Sequence, residues 1–234
     1  MKNIPFILRR SYRRKKTAQL TINPEGEVVV LAPHHMSESY LQKFVNSNQT
    51  WIDKQKQKTA KAQTAKRTLI NGAYIPYKGG ELQLNVIPES LRSQSWVKLQ
   101  TNAIGIYIPV GLRGHKRQDT IRQALENWYI KQARQTIIDQ IEHYAAVMGL
   151  SYNRISIKDT SSRWGSCSSA GNLNFSWRLI LAPPNILDYV VIHELAHLVH
   201  QHHQSSFWNL VAKYDSLYKN HRKYLKQNGW RLTF

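Results

Sequence analysis

One segment, residues 183–203, constrains the fold of this chain more than any other. Pro183 and Pro184 end the strand pattern that precedes them and pre-set the backbone for the first turn of a helix. An apolar run at 190–192 then leads directly into His193-Glu194-Leu195-Ala196-His197. A helix that is apolar around most of its surface belongs in an interior. The sequence therefore predicts a central, mostly buried helix that ends in a polar motif.

The polar motif places three chemically useful side chains on or beside one helical face. His193 and His197 are four residues apart, so their side chains lie about 6 Å apart along the helix axis. One tetrahedral ion can bridge two imidazoles at this spacing. Glu194 flanks the same site and is well placed to take a proton from a water molecule at the metal. The pattern is typical of zinc hydrolases.

A third ligand has to come from the histidines that follow. His203, six residues after His197, reaches the site only if the helix ends and the chain turns back, and His202 is the competing candidate. His200 lies a full turn beyond an ion held by the first two histidines, so direct ligation by it is not expected. The long zinc signature has a glycine where this chain has His200, so residues 201–203 are expected to turn in a left-handed backbone conformation.

The patterns along the rest of the chain predict an α+β fold with two domains. The first, residues 1–114, is rich in strand patterns, with a hairpin around residues 23–26 and a basic helix that begins at Ser37 and runs to Arg67. Further strand patterns cover residues 73–77, 82–86, 96–100 and 104–110.

The second domain, residues 115–234, is predicted as a compact catalytic domain of the zincin type. It begins with a long helix that Asp119 can cap and Gly149 can end. A strand at 150–158 follows, and then a hairpin with arms at 164–167 and 173–181, in which apolar and polar residues alternate along the second arm. The histidine helix comes next.

Several segments around the motif are recognisable together. They are Arg163-Trp164-Gly165-Ser166-Cys167, Gly171-Asn172-Leu173, Leu179-Ile180-Leu181-Ala182-Pro183, Asp188-Tyr189-Val190-Val191, His193-Glu194-Leu195-Ala196-His197-Leu198, His203 and Phe207-Trp208. These segments resemble the YgjP-like metallopeptidases, which are related to the SprT-like zinc proteases, and the resemblance spans nearly the whole chain. It includes the Ala32-Pro33 and Trp51-Ile52 region and the closing Asn228-Gly229-Trp230-Arg231-Leu232.

The resemblance implies a zinc metallopeptidase that hydrolyses peptides or proteins. It implies that Zn²⁺ is held by His193, His197 and His203 and that Glu194 is the catalyst. The family usually has asparagine and then histidine where this chain has His202 and His203. The metzincin class is excluded, because it needs a methionine downstream of the zinc helix and the three methionines of this chain all precede it.

Candidate substrate contacts are less sharply defined than the metal site. Trp164, Asn174 and Tyr189 are the candidates, although Trp164 is an aromatic side chain of the kind that mostly serves a core. Tyr189, Arg163, Tyr214 and Tyr218 are all possible donors to an oxyanion, and the sequence does not choose among them. Either arm of the predicted hairpin could pair with an extended substrate by strand addition.

Charge supports a hypothesis of a different class. Lys and Arg total 33 against 14 acidic residues, for a net charge of +19, so non-specific association with nucleic acid through a basic surface is plausible. The alternatives are therefore a nucleic-acid-binding protein with a structural or vestigial zinc site, or a protease that acts on nucleoprotein. A structural zinc site normally has four protein ligands, which counts against the first alternative.

Cysteine content and hydrophobicity indicate where the protein works. A single cysteine, Cys167, cannot form an internal disulfide, which favours a reducing compartment and hence the cytoplasm. The same cysteine is expected to be a small buried residue and not a nucleophile. No stretch approaches the ~20 apolar residues of a membrane span, so no membrane association is predicted.

The choice between the two candidate third ligands gives a testable prediction. Replacing His203 by alanine should cost the protein its zinc, because two imidazoles and water hold the ion far less well than three imidazoles. His202→Ala is the matched control and should keep its zinc. Metal analysis of the purified variants decides, and the reverse result would assign the ligand to His202.

Overall fold

The chain forms two compact units. The computed structural model describes residues 3–23, 25–64, 68–160 and 163–233, and these ranges contain six α-helices and ten strands in three small sheets. The predicted α+β class is confirmed. The units are Met1–Lys66 and Arg67–Phe234. The boundary predicted between residues 114 and 115 falls within the second unit, and a division into domains there stays a prediction.

The first unit is a three-stranded sheet with two helices. Its elements are β1 (Ile7–Ser11), β2 (Gln19–Ile22), β3 (Val28–Pro33), α1 (Glu38–Ser47) and α2 (Gln49–Thr64). β3 lies in the centre, parallel to β1 and antiparallel to β2, so the predicted hairpin is confirmed. Val30 of β3 packs with Leu41 and Val45 of α1 and with Ile52 of α2 in a core of its own.

The basic helix predicted from Ser37 is in fact two helices. Ser37 caps the first as expected, since its hydroxyl accepts a hydrogen bond from the backbone N–H of Tyr40 at 3.3 Å. The break falls at Asn48, whose side-chain amide donates to the carbonyl of Phe44 at 2.8 Å and so competes with the helical hydrogen bonds there. Lys66 and Arg67, the end of the predicted basic tail, lie outside the described residues.

The second unit begins with a four-stranded sheet. Its strands are β4 (Tyr74–Tyr77), β5 (Gly80–Glu89), β6 (Trp96–Leu99) and β7 (Ala103–Pro109). They lie in the order β4-β5-β7-β6, with β5 parallel to β7 and both outer strands antiparallel to their neighbours. Leu84, Ile104 and Ile106 are fully buried and join the main core of the unit.

Helix α3 (Gly114–Met148) is the longest element. The helix begins before Asp119, so the predicted cap is wrong: residues 114–118 contain no proline, and the N–H of Arg117 already donates to the carbonyl of Arg113 at 3.3 Å. Its end is as predicted, because Gly149 adopts the left-handed conformation with φ 67° that favours glycine.

A second small sheet precedes the histidine helix. It consists of β8 (Arg154–Lys158), β9 (Gly165–Cys167) and β10 (Asn172–Ser176) in the order β8-β10-β9, with β9 on an edge. β9 and β10 form the predicted hairpin, but the second arm ends at Ser176 and not at Leu181. Residues Trp177–Leu181 form a 3-10 helix, because Leu179, Ile180 and Leu181 are all buried in succession, which a half-exposed strand cannot achieve.

Helix α4 (Pro184–Ala196) is the predicted central helix. Pro184 lies in its first turn, and nine of its residues are buried, among them Val191 and Leu195 with no exposed surface. Helices α5 (Ser205–Tyr214) and α6 (Tyr218–Asn228) and a short 3-10 helix (Gly229–Arg231) complete the unit. None of the helices in the described ranges is long and apolar enough to cross a membrane.

The core of the second unit makes a prediction about stability. Ile137 on α3 is fully buried, so Ile137→Ala should lower the free energy of unfolding by about 2–5 kcal/mol through lost apolar burial and a residual cavity. Val147, on the same helix, is 54% exposed, and Val147→Ala should change it by less than about 0.5 kcal/mol. Urea denaturation of the full chain measures both. Equal losses would contradict the assigned packing.

Candidate metal centre

Three histidines from two segments meet at the end of α4. His193 lies in the last turn of the helix, His197 caps it, and His203 comes from the loop before α5. One nitrogen from each ring can be chosen so that all three atoms lie within 4.8 Å of one another. The Nε2 atoms of His193 and His203 are 3.2 Å apart. Two nitrogen ligands at ~2.0–2.1 Å from a tetrahedral ion are separated by about 3.3 Å, so this pair fits a divalent metal such as zinc.

The turn after α4 brings in His203 and leaves His202 out. The N–H groups of Leu198 and Val199 donate to the carbonyls three residues back at 3.0 and 3.2 Å, so the helix tightens into a turn and ends. Nδ1 of His202 accepts a weak hydrogen bond from the N–H of Gln204 at 3.4 Å. The expected left-handed conformation at 201–203 is wrong: Lys78 is the one residue other than glycine with a positive φ in the described part of the chain.

His200 contributes through its backbone. Its carbonyl oxygen lies 2.9 Å from Nδ1 of His197, and because a carbonyl can only accept, Nδ1 must carry the proton. The lone pair of the neutral ring is then on Nε2. This hydrogen bond sets both the tautomer and the orientation of His197, as outer partners of metal-binding histidines usually do.

Two aromatic residues of α5 hold the three imidazoles in place. Phe207 is fully buried, and its ring centroid lies 4.9, 4.6 and 4.7 Å from those of His193, His197 and His203. Trp208 donates from its indole N–H to the carbonyl of His203 at 3.1 Å and stacks on that ring at 5.5 Å. The loop histidine is therefore tied to α5 by packing and by a hydrogen bond.

Burial keeps His193 neutral. Desolvation lowers the pKa of His193 to about 3, and the neighbouring His197, His203 and the Arg222 guanidinium act in the same direction. The pKa of His203 is also lowered, again chiefly by desolvation. A neutral imidazole is the form that binds a metal ion, so neither ring has to lose a proton before it binds a metal at neutral pH.

Glu194 is buried against the backbone of β9. It is 6% exposed, and burial raises its pKa to about 8, with the Arg163 guanidinium opposing the shift. A Cβ atom built on Gly165 would lie 2.6 Å from Cγ and Oε1 of Glu194. The carboxyl group thus occupies the space that any larger residue at position 165 would fill.

The remaining candidates are distributed over two cavities that share Gly165. The first, of about 290 Å³, is lined by His193 and Glu194 together with Trp164 and Tyr189. Burial raises the pKa of Tyr189 to about 12, so its hydroxyl stays protonated and can donate a hydrogen bond. This cavity brings two of the three predicted substrate contacts to the metal cluster.

Asn174 and Arg163 line the second cavity, of about 240 Å³. The amide of Asn174 donates to the hydroxyl of Ser166 at 3.3 Å. Of the other proposed oxyanion donors, Tyr218 stacks on Trp208 at 5.3 Å, and neither it nor Tyr214 lines either cavity. Cys167 is half-buried, and burial raises its pKa, so its sulfur stays a neutral thiol.

The sequence reasoning missed Arg222. It lines the first cavity from α6, 25 residues after His197. No motif fixes such a long separation. The available signal was the pair Arg222 and Lys226, which lie four apart on one face of a helix and both line that cavity.

A known protein family covers most of the chain. The family model of the YgjP-like metallopeptidase domain matches residues 16–228. No curated protein matches the chain. Among solved structures, the chain is similar to the metallopeptidase zymogen of Pyrococcus abyssi abylysin at 23% sequence identity and a TM-score of 0.36, over 39% of this chain and 93% of that chain.

The contact between Gly165 and Glu194 predicts a separation of metal binding from activity. Gly165→Ala should displace the carboxyl group, because the new Cβ would lie 2.6 Å from it, while the histidines keep their places. We expect an unchanged metal content and at least a ~100-fold loss of peptide hydrolysis, in line with the loss of a general base.

Gly80→Ala is the matched control for this substitution. The nearest atom to a Cβ there is the carbonyl oxygen of Tyr77 at 3.7 Å, which is an ordinary contact. The control should keep both metal and hydrolysis. Full hydrolysis by Gly165→Ala would show that Glu194 does not need its present position.

Proposed function

Since the chain belongs to the YgjP-like metallopeptidase family, we propose that it is a zinc-dependent peptidase with His193, His197 and His203 as metal ligands and Glu194 as general base. The observation that carries this proposal is the group of three imidazoles beside a buried glutamate that is not itself part of the group. When bound, zinc supplies a Lewis acid that polarises the substrate carbonyl and makes a water molecule more acidic.

Glu194 is suited to the proton transfers of peptide hydrolysis. A carboxylate oxygen of Glu194 accepts a proton from the attacking water and later passes it to the leaving amine. Burial raises the pKa of the Glu194 carboxyl to about 8, so the group can both take up and release a proton near neutral pH. Gly165 leaves room for this side chain, because a Cβ atom at position 165 would lie 2.6 Å from its Oε1 atom.

Tyr189 is our choice for the oxyanion donor. Its hydroxyl keeps its proton, and the residue lines the same cavity as His193 and Glu194. Trp164 is proposed to contact the substrate in that cavity, and Asn174 in the second cavity, which also has Gly165 in its lining. β9 is an edge strand, so an extended peptide could add to it by backbone hydrogen bonds.

The alternative function, nucleic-acid binding with a structural zinc site, has less support. A structural site uses four protein ligands, and the one candidate group in the described residues offers three. The net charge of +19 remains the reason to propose that substrates include nucleoprotein. The single cysteine, which is free, supports a location in the cytoplasm.

The assigned roles predict the behaviour of Glu194→Gln. This variant should bind zinc as the wild type does, because the three ligands are untouched, and should lose at least ~100-fold in peptide hydrolysis, because an amide cannot take the proton. Zinc content and cleavage of a quenched fluorescent peptide library measure the two properties. Glu142→Gln, an exposed change of the same type on α3, serves as the control.

Hydrolysis by Glu194→Gln at the wild-type rate would refute the mechanism. If Glu194→Gln is inactive as expected, a comparison of the peptides that wild type and this variant cleave in a cell extract identifies the substrates, since cleavage by contaminating peptidases occurs in both samples. Zinc lost together with activity would instead make Glu194 a ligand.

A further inference from the structure

The cavity beside Glu194 carries two cations. We propose that this cavity is a subsite for a carboxylate group of the substrate, bound by Arg222 and Lys226. The proposal rests on the proposed function, because it concerns substrate recognition at the same site. It adds a class of substrate: peptides with an acidic side chain, or with a free C-terminal carboxylate, next to the bond that is cut.

The two cations lie on one helix and face the reacting groups. Arg222 and Lys226 are one turn apart on α6 and line the cavity together with His193 and Glu194. Glu194 is the one acidic residue in that lining. Neither Arg222 nor Lys226 forms an ion pair with an acid in the described ranges, whereas Arg178 is paired with Asp159 at 2.9 Å.

Arg222 is held in a fixed position relative to the metal cluster. Its guanidinium carbon lies 4.9 Å from the centre of the Trp208 ring, a cation–π contact. Trp208 is in turn bonded to the carbonyl of His203. A planar guanidinium that is already oriented can donate two parallel hydrogen bonds to a carboxylate, which a flexible ammonium cannot do.

The other walls of the cavity suit the stem of an acidic side chain. Val190 is buried, Leu225 is half-buried, and both line the cavity with Trp164. Its volume of about 290 Å³ is enough for one side chain. An apolar wall with two cations at the rim favours a short hydrocarbon chain that ends in a negative charge.

The second cavity supports the same class of substrate. It shares Gly165 with the first cavity and contains Lys158 and Arg163 in its lining. A peptide that runs through both cavities would therefore meet positive charge in each of them. An acidic peptide is attracted along this whole path, and a basic one is repelled.

Binding to a zinc-loaded Glu194→Gln full-length protein tests the proposal without turnover. Three N-acetylated decapeptides of alanine and serine are compared by isothermal titration calorimetry at low ionic strength. The first has a central glutamate and an amidated C-terminus, the second has a central glutamine and an amidated C-terminus, and the third has the glutamine with a free C-terminal carboxylate. The first and third arms distinguish the side chain from the chain end as the source of the carboxylate.

We expect at least one of the two carboxylate peptides to bind about three- to tenfold more tightly than the neutral one. Exposed cations are partly screened by water, which keeps the expected ratio modest. Arg222→Gln and Lys226→Gln, each added to Glu194→Gln, should reduce the ratio. Lys223→Gln is the matched control, because Lys223 lies on the same helix and is absent from the lining of the cavity.

Two results would overturn the proposal: equal affinity for all three peptides, or a preference for carboxylate that persists in both cavity variants. Arg222→Gln also removes the contact with Trp208, whereas Lys226→Gln tests the charge of the cavity without removing that contact. Zinc content is measured for every variant. The proposed function fails separately, if wild type cleaves no peptide or if Glu194→Gln cleaves at the wild-type rate. Preferential binding of carboxylate peptides without any cleavage would thus support the carboxylate subsite and refute the proposed peptidase activity.

Discussion

The burial of α4 is the constraint on which the site depends. The helix is surrounded by other elements along most of its length, and its polar end carries His193 and Glu194. Both side chains therefore sit where their charged forms are poorly solvated, which is the main cause of the low pKa of His193 and the high pKa of Glu194. A neutral imidazole can bind a metal ion, and a carboxyl group with a pKa near neutral can both take up and release a proton. The burial of one helix end produces both pKa shifts.

The rest of the site is arranged by backbone groups and by packing. The carbonyl of His200 orients His197, and the carbonyl of His203 is bound by Trp208. Phe207 touches all three imidazoles. These contacts come from the short turn after α4 and from the first turn of α5, so the geometry of the three nitrogens is built by segments that are adjacent in sequence. The arrangement of the three histidines therefore depends mainly on these neighbouring segments and little on distant parts of the fold.

The sequence was most informative where a short-range rule applies. The spacing of His193 and His197 and the proline at the start of α4 follow from helix geometry, and the hairpin of β9 and β10 follows from its turn. Two effects were harder to predict from the sequence: the burial of several successive residues, and the competition of a side chain for a backbone carbonyl. The strand pattern to Leu181 was interrupted because three successive residues are buried, and the helix from Ser37 was interrupted because the Asn48 side chain competes for a carbonyl. The sequence could not predict that Arg222 lies at the cavity, because only the packing of α6 against α4 brings it there.

Gly165 has a consequence beyond making room. The three-residue strand β9 lies directly against the Glu194 carboxyl at Gly165, where the absence of a side chain permits the close approach, and so it contributes to the burial of that group. If the hairpin of β9 and β10 opened, water would reach the carboxyl and its pKa would fall towards that of an exposed glutamate. The proton affinity of the Glu194 carboxyl therefore depends on this small hairpin staying closed, and a substitution that loosens the sheet edge would lower the pKa without changing Glu194 itself.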